Sequence, residues 1–128
     1  EAPKLLELAG MDLGNIRSGT LVDAIAAGDK VVEEIIRDAA RWLGVAIGNT
    51  INLLGPDVVI LGGGLVEAMP KLYVEEVSRS VKARVMPSFE GSFKVVAAEL
   101  ADDATVMGAA AWAEDVVDRG GRAAAATA

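Results

Sequence analysis

The stretch Val58-Val59-Ile60-Leu61-Gly62-Gly63-Gly64 decides how this chain is read. Four β-branched or aliphatic residues run straight into three glycines, and a helical pattern follows. The apolar run lacks alternation, which predicts a strand buried on both faces of a parallel sheet. A glycine has no Cβ, so a turn built from it adopts φ > 0 and lets a ligand touch the backbone. In open α/β sheets, ligands bind outside the carboxyl ends of the strands, where these glycines lie. Three glycines alone also suit a tight strand-to-helix turn, and no phosphate loop of the G-x-x-x-x-G-K-[ST] type is present.

Working outward, Gly55-Pro56 ends a long helix expected from Asp29 to about Asn52. Its apolar stripe is read as Val32, Ile35, Ile36, Ala39, Leu43, Ala46, Ile47 and Ile51. Upstream, Pro3–Ala9 reads as a short helix and residues 11–19 as a loop. Thr20 is expected to cap a helix over Leu21–Ala27, with Asp23 as a weak capping-box partner and Gly28 at its end. After the glycines a short helical piece reaches Pro70. Residues 71–84 are amphipathic, with Tyr73, Val77 and Val81 inward. Lys71, Glu75, Glu76, Arg79 and Lys82 face solvent, and Glu75–Arg79 has favourable i,i+4 order. Residues 87–92 form a turn and 93–98 a second strand. Asp102 or Asp103 opens a last helix to about Val117, and residues 118–128 read as a disordered tail.

The order helix, helix, strand, helix, strand, helix implies a right-handed parallel crossover. Two strands are too few to complete a sheet, and the strand at 57–61 calls for neighbours on both sides. The expected class is therefore α/β, with parallel strands, flanking helices and an incomplete sheet. The chain is expected to pair with another or to be the carboxyl part of something larger. The first residues are no signal peptide and no initiator Met is present, which also fits a fragment or a processed product.

Composition excludes several classes. With 128 residues, one domain with a real core is expected. The net charge of −7 lacks the clustered Lys and Arg of a nucleic-acid surface, and no apolar run is long enough for a membrane span. The chain has no cysteine and no histidine. That removes disulfides, Cys/His zinc sites and any Ser-His-Asp or Cys-His nucleophile from within this chain. No carboxylate stands in an apolar setting that would raise its pKa into the range of a general base. The small-residue run Met107-Gly108-Ala109-Ala110-Ala111-Trp112-Ala113 points to close packing or a hinge, with direct ligand contact as the lesser alternative, since Gly108 costs about 1 kcal/mol relative to Ala inside a helix.

Two segments carry a family resemblance. Asn52-Leu53-Leu54-Gly55-Pro56-Asp57 followed by the strand and glycines, and Ala98-Glu99-Leu100-Ala101-Asp102-Asp103-Ala104-Thr105-Val106-Met107-Gly108-Ala109-Ala110, resemble the ROK family of bacterial sugar kinases and sugar-responsive repressors. In that family a long helix leads into an N-x-x-x-P segment, a strand and a Gly-Gly-Gly loop. A later acidic segment ending in G-A-A opens the final helix. Ala101 stands where the family commonly has Gly. The order of elements agrees over roughly residues 3–117.

The resemblance implies the carboxyl-terminal part of an actin/hexokinase-type (ribonuclease H-like) ATPase domain, with residues 1–117 as a partial domain. It implies that Gly62, Gly63 and Gly64 line the adenosine side of a nucleotide site, and that residues 105–113 belong to a connecting helix at the interdomain hinge. It also implies ATP with magnesium as cofactors, a glucose-type hexose as substrate, a cytoplasmic protein without membrane contact, and homo-oligomers or pairing with an amino-terminal part. Three family features have no counterpart in this sequence: the D-x-G-G-T phosphate loop, the aspartate of the E-N-D segment that serves as catalytic base, and the zinc motif. No catalytic residue is assigned, and the chain alone is expected not to phosphorylate sugar.

Three readings of the parent follow. It is a glucokinase-like sugar kinase, a repressor in which this region shapes the sugar-responsive part, or a free-standing module that binds a partner through its sheet edge. The first predicts that a valine at Gly63 fills the adenosine cleft without disturbing the fold.

Overall fold

The computed structural model describes residues 2–10 and 12–125, with side chains through Arg119. The chain divides into two units, Glu1–Ala98 and Glu99–Ala128. In the first, α1 (Pro3–Ala9), a 3₁₀ turn (Leu13–Asn15), α2 (Ser18–Ala26) and α3 (Lys30–Leu54) precede β1 (Val58–Leu61). Then come α4 (Gly64–Ala68), α5 (Pro70–Lys82), a 3₁₀ turn (Pro87–Phe89) and β2 (Lys94–Ala97). The second unit holds a 3₁₀ turn (Ala101–Asp103) and α6 (Ala104–Ala125).

The core of the first unit lies between α3 and α5. Ile51, Val77 and Val81 are fully buried there, each contributing about 1.5–3 kcal/mol relative to exposure. The inward stripe expected for α5 is observed. That of α3 differs: the buried line is Val32, Ile36, Ala40, Gly44, Gly48 and Ile51. Ile35 and Leu43, read as inward, are 62% and 40% exposed. The reason is the closeness of the two helices. A Cβ on Gly44 would stand 2.4 Å from Ser80 Cβ and 2.9 Å from the Val77 carbonyl, and one on Gly48 would stand 3.2 Å from Arg84 Cβ. Only small residues admit that approach, so the contact line follows size rather than hydropathy. The Ser80 hydroxyl donates to the Arg41 carbonyl across the interface (2.6 Å).

Asp29 joins three elements. It caps α3 by accepting from Val32 N–H (3.4 Å), and its other oxygen accepts from Lys4 and Leu5 N–H at the start of α1 (3.0 and 3.2 Å). Its own N–H donates to the Ala24 carbonyl in α2 (2.9 Å). It is 3% exposed. Burial pushes its carboxyl up, but backbone N–H groups of Leu5, Val32, Lys4 and Val31 outweigh that and hold it below the ordinary 3.8.

The start of α2 also departs from expectation. The helix begins at Ser18, and Thr20 stands in its first turn, its hydroxyl accepting from Arg17 N–H (3.3 Å) and donating to the Asn15 carbonyl (3.3 Å). Glu76, expected in solvent, is 8% exposed and accepts from Arg37 of α3 (2.6 Å) and from Arg79 (2.9 Å). Arg79 therefore pairs with Glu76 and not with Glu75.

β1 and β2 form a two-stranded parallel sheet with Leu61 opposite Ala97. Burial on both faces is not observed. Leu61 is buried against the helices, while Val58 and Ile60 on the other face are 50% and 66% exposed. The helices of this unit cover one face only. In the second unit α6 opens at Ala104, directly after Asp103, and extends past Val117 to Ala125. Val106, Met107, Trp112 and Val117 are exposed.

Candidate functional site at the carboxyl end of the first strand

The turn after β1 is set from both ends. Gly55 takes a left-handed conformation (φ 60°, ψ 46°) and donates to the Ile51 carbonyl (2.9 Å), closing α3. Pro56 then leads the chain into β1. At the far end of β1, Ala98 N–H donates to the Leu61 carbonyl (2.7 Å), which holds the two strand ends side by side.

The three glycines have different surroundings. A Cβ on Gly62 would meet Ala98 Cβ at 3.7 Å, and one on Gly64 would meet the Ser18 hydroxyl oxygen at 3.5 Å. A Cβ on Gly63 would meet nothing within 4 Å among the described residues. Gly63 has φ 98° and ψ 161°, a region that belongs to glycine alone. Its carbonyl accepts from Val66 and Glu67 N–H (2.9 and 3.1 Å), anchoring the first turn of α4. The bend therefore presents bare backbone to open space. That suits a flat or bulky ligand packed against a peptide plane. The same geometry changes the expectation for a valine at Gly63: the backbone angle itself disfavours any side chain, so such a variant strains the turn as well as filling the opening.

No acid–base or metal chemistry gathers at this turn. Among the described residues no group of three or more His, Cys, Asp or Glu is placed to hold a metal ion. The two carboxylates most withdrawn from solvent, Asp29 and Glu76, are engaged in helix capping and in ion pairs. A cleft of about 530 Å³ lies elsewhere, lined by Lys82, Val85, Glu90, Gly91 and Phe93. The three glycines named from sequence thus fall together at one place, while the structural roles of Asp29, Glu76 and Gly44 were not legible there. Asp29 carried the one usable signal, standing directly before a helical pattern.

Solved structures similar to this chain include sugar kinases and a transcriptional regulator, and the fold is of the actin/hexokinase type. A ROK-family glucokinase from Streptomyces griseus, solved with glucose and AMPPNP, superposes with a TM-score of 0.74 and 27% identity, covering 87% of this chain and 36% of that one. The sequence model of the ROK family matches residues 5–116, and the chain belongs to that family. Curated relatives include a glucokinase of Thermotoga maritima, 36% identical over 90 residues, covering 70% of this chain and 28% of that protein. They also include an N-acetylglucosamine repressor of Escherichia coli O157:H7, 29% identical over 90 residues, covering 70% of this chain and 22% of that protein. The chain thus spans about a third or less of the curated relatives it matches.

Proposed function

We propose that this chain is the carboxyl-terminal part of an ATP-dependent kinase of a glucose-type hexose, with residues 1–117 as a partial domain and the glycine bend supplying the adenosine side of the nucleotide site. The observation that carries this reading is Gly63, held in a glycine-only conformation and facing open space at the carboxyl end of a parallel strand. The superposition on a glucokinase solved with AMPPNP supports it.

The division of labour follows from what the residues offer. Gly62 and Gly63 position the nucleoside by backbone contact, and the strand pairing at Leu61 and Ala98 keeps the bend rigid. Magnesium supplies charge neutralisation on the phosphates when bound. We assign its ligands and the base that accepts the sugar proton to the rest of the complete protein. We assign that protein to the cytoplasm. Among the described residues no helix is long and apolar enough to cross a membrane.

The exposed sheet face (Val58, Ile60, Val96) suits cover by the amino-terminal part of the protein or by a second copy. The isolated chain should bind an apolar dye and associate as its concentration rises, and a monomer without dye binding would contradict this.

A second reading is a sugar-responsive repressor, favoured by the match to the Escherichia coli protein. Calorimetric titration of the full-length protein with AMPPNP separates the two. The kinase reading expects saturable binding, and its absence favours the repressor.

A further inference from the structure

We infer that Ser18, at the start of α2, is a positioning residue for the nucleoside end of the ligand bound at the glycine bend. This inference rests on the nucleotide reading above and extends it to a side chain that no motif in the sequence marks.

The bend itself offers only backbone, and backbone alone does not fix how a nucleoside is turned about its own axis. A directional polar group is needed beside it. Ser18 Oγ lies 3.5 Å from where a Cβ of Gly64 would stand, on the side to which Gly64 would project a side chain. Consecutive Cα atoms are about 3.8 Å apart, so a ligand that packs on Gly63 and extends over Gly64 would come within reach of that hydroxyl. A Cβ on Gly64 would make only ordinary contact with Ser18, so the serine is close to this part of the bend without filling it.

The neighbouring polar groups are already committed. The Thr20 hydroxyl links Arg17 N–H to the Asn15 carbonyl, and the Arg17 guanidinium donates to the Gly14 and Ile16 carbonyls (2.8 and 3.2 Å). The Ser18 hydroxyl has no such commitment among the described residues, and Ser18 is only half-buried. A hydroxyl both donates and accepts, which matches a ribose hydroxyl or a purine ring nitrogen. The sequence places the serine far from the glycines. The packing of α2 beside α4 brings it there.

The test uses the full-length protein, titrated with AMPPNP and, separately, with inorganic tripolyphosphate. Ser18→Ala should weaken AMPPNP about three- to tenfold, the loss of one hydrogen bond, and leave tripolyphosphate and glucose binding unchanged. Ser18→Thr should retain most of the affinity. Unchanged AMPPNP affinity in Ser18→Ala overturns the inference while leaving the nucleotide reading in place. So does an equal loss for tripolyphosphate, which would put Ser18 at the phosphate end. Equal losses in both variants with a lowered Tm mean a structural role and also overturn it. No AMPPNP binding by the unaltered protein removes the nucleotide reading itself, and this inference with it.

Discussion

Two regions of this chain use glycine for opposite ends. Where α3 crosses α5, the space a side chain would need is already filled: Gly44 lies against Ser80 and the Val77 carbonyl, and Gly48 against Arg84. At the bend after β1, the space beside Gly63 is empty. The first region uses the missing side chain for protein packing, and the second leaves its place open, which is what the proposed nucleotide site draws on. Composition does not distinguish them. What differs is whether a built Cβ collides, and which backbone angles the residue holds. A glycine that clashes when filled is there for the fold; a strained, unfilled one such as Gly10, Gly28 or Gly91 can simply serve a turn, so it is the place of Gly63 at the carboxyl end of a parallel strand that carries the nucleotide reading.

The largest expected break in this comparison is Gly44→Ala. Its Cβ would stand 2.4 Å from Ser80 Cβ, with the Val77 backbone also in the way. Stability should fall by about 3 kcal/mol in urea unfolding, the upper range for overpacking a tight contact. Gly48→Ala should cost less, about 1 kcal/mol, because Arg84 Cβ at 3.2 Å needs to give only slightly. Equal costs at the two positions would mean that the interhelical contact is not what these glycines serve.

Gly63→Ala should behave differently. It meets no atom, yet φ 98° strains it by about 1–3 kcal/mol. Its affinity for AMPPNP in the full-length protein should fall about tenfold or more, because the methyl group occupies the opening. Gly44→Ala, at whatever temperature it remains folded, should keep its affinity. A Gly63→Ala variant that binds AMPPNP normally would place the ligand elsewhere.

Acid sharpens the packed side of the comparison. Asp29 titrates below its ordinary 3.8 in the folded chain, so its contribution is present above that value and is lost as pH falls through the depressed folded pKa. Tm should therefore drop below about pH 4, and Asp29→Asn should flatten that drop. Parallel pH profiles for the two proteins would show that the carboxylate does not hold α1 to α3.

The smallest effect belongs to Gly62→Ala. Its Cβ makes ordinary contact with Ala98 at 3.7 Å, so stability should change by no more than about 0.5 kcal/mol. A larger cost would mean that the ends of β1 and β2 lie closer together than described.

Much of this was legible in the sequence, for identifiable reasons. The α5 stripe of Tyr73, Val77 and Val81 could be read because large apolar residues at helical spacing mark a face without outside help. The glycine bend could be read because strand, glycines and helix are contiguous. The α3 stripe could not, because hydropathy ranks Ile35 above Gly44, while the nearness of α5 reverses their places. Glu76 was taken for a surface residue because nothing local distinguishes it from Glu75. Only Arg37, reaching from another helix, decides which is drawn in. The strand was expected to be covered twice, yet Val58 and Ile60 face out, because an apolar run reports what a strand is suited to and not which neighbours are present. Ser18 left no trace because its relation to Gly64 exists only after α2 has packed beside α4.

The central claim is that the bare bend at residues 62–64 faces a nucleotide. Hydrogen–deuterium exchange of the full-length protein, with and without AMPPNP, tests it without altering a residue. The account predicts slowed exchange in the peptide spanning residues 61–66 when the nucleotide analogue is present, with little change over residues 40–50 where α3 meets α5. Binding that leaves 61–66 unprotected would contradict it.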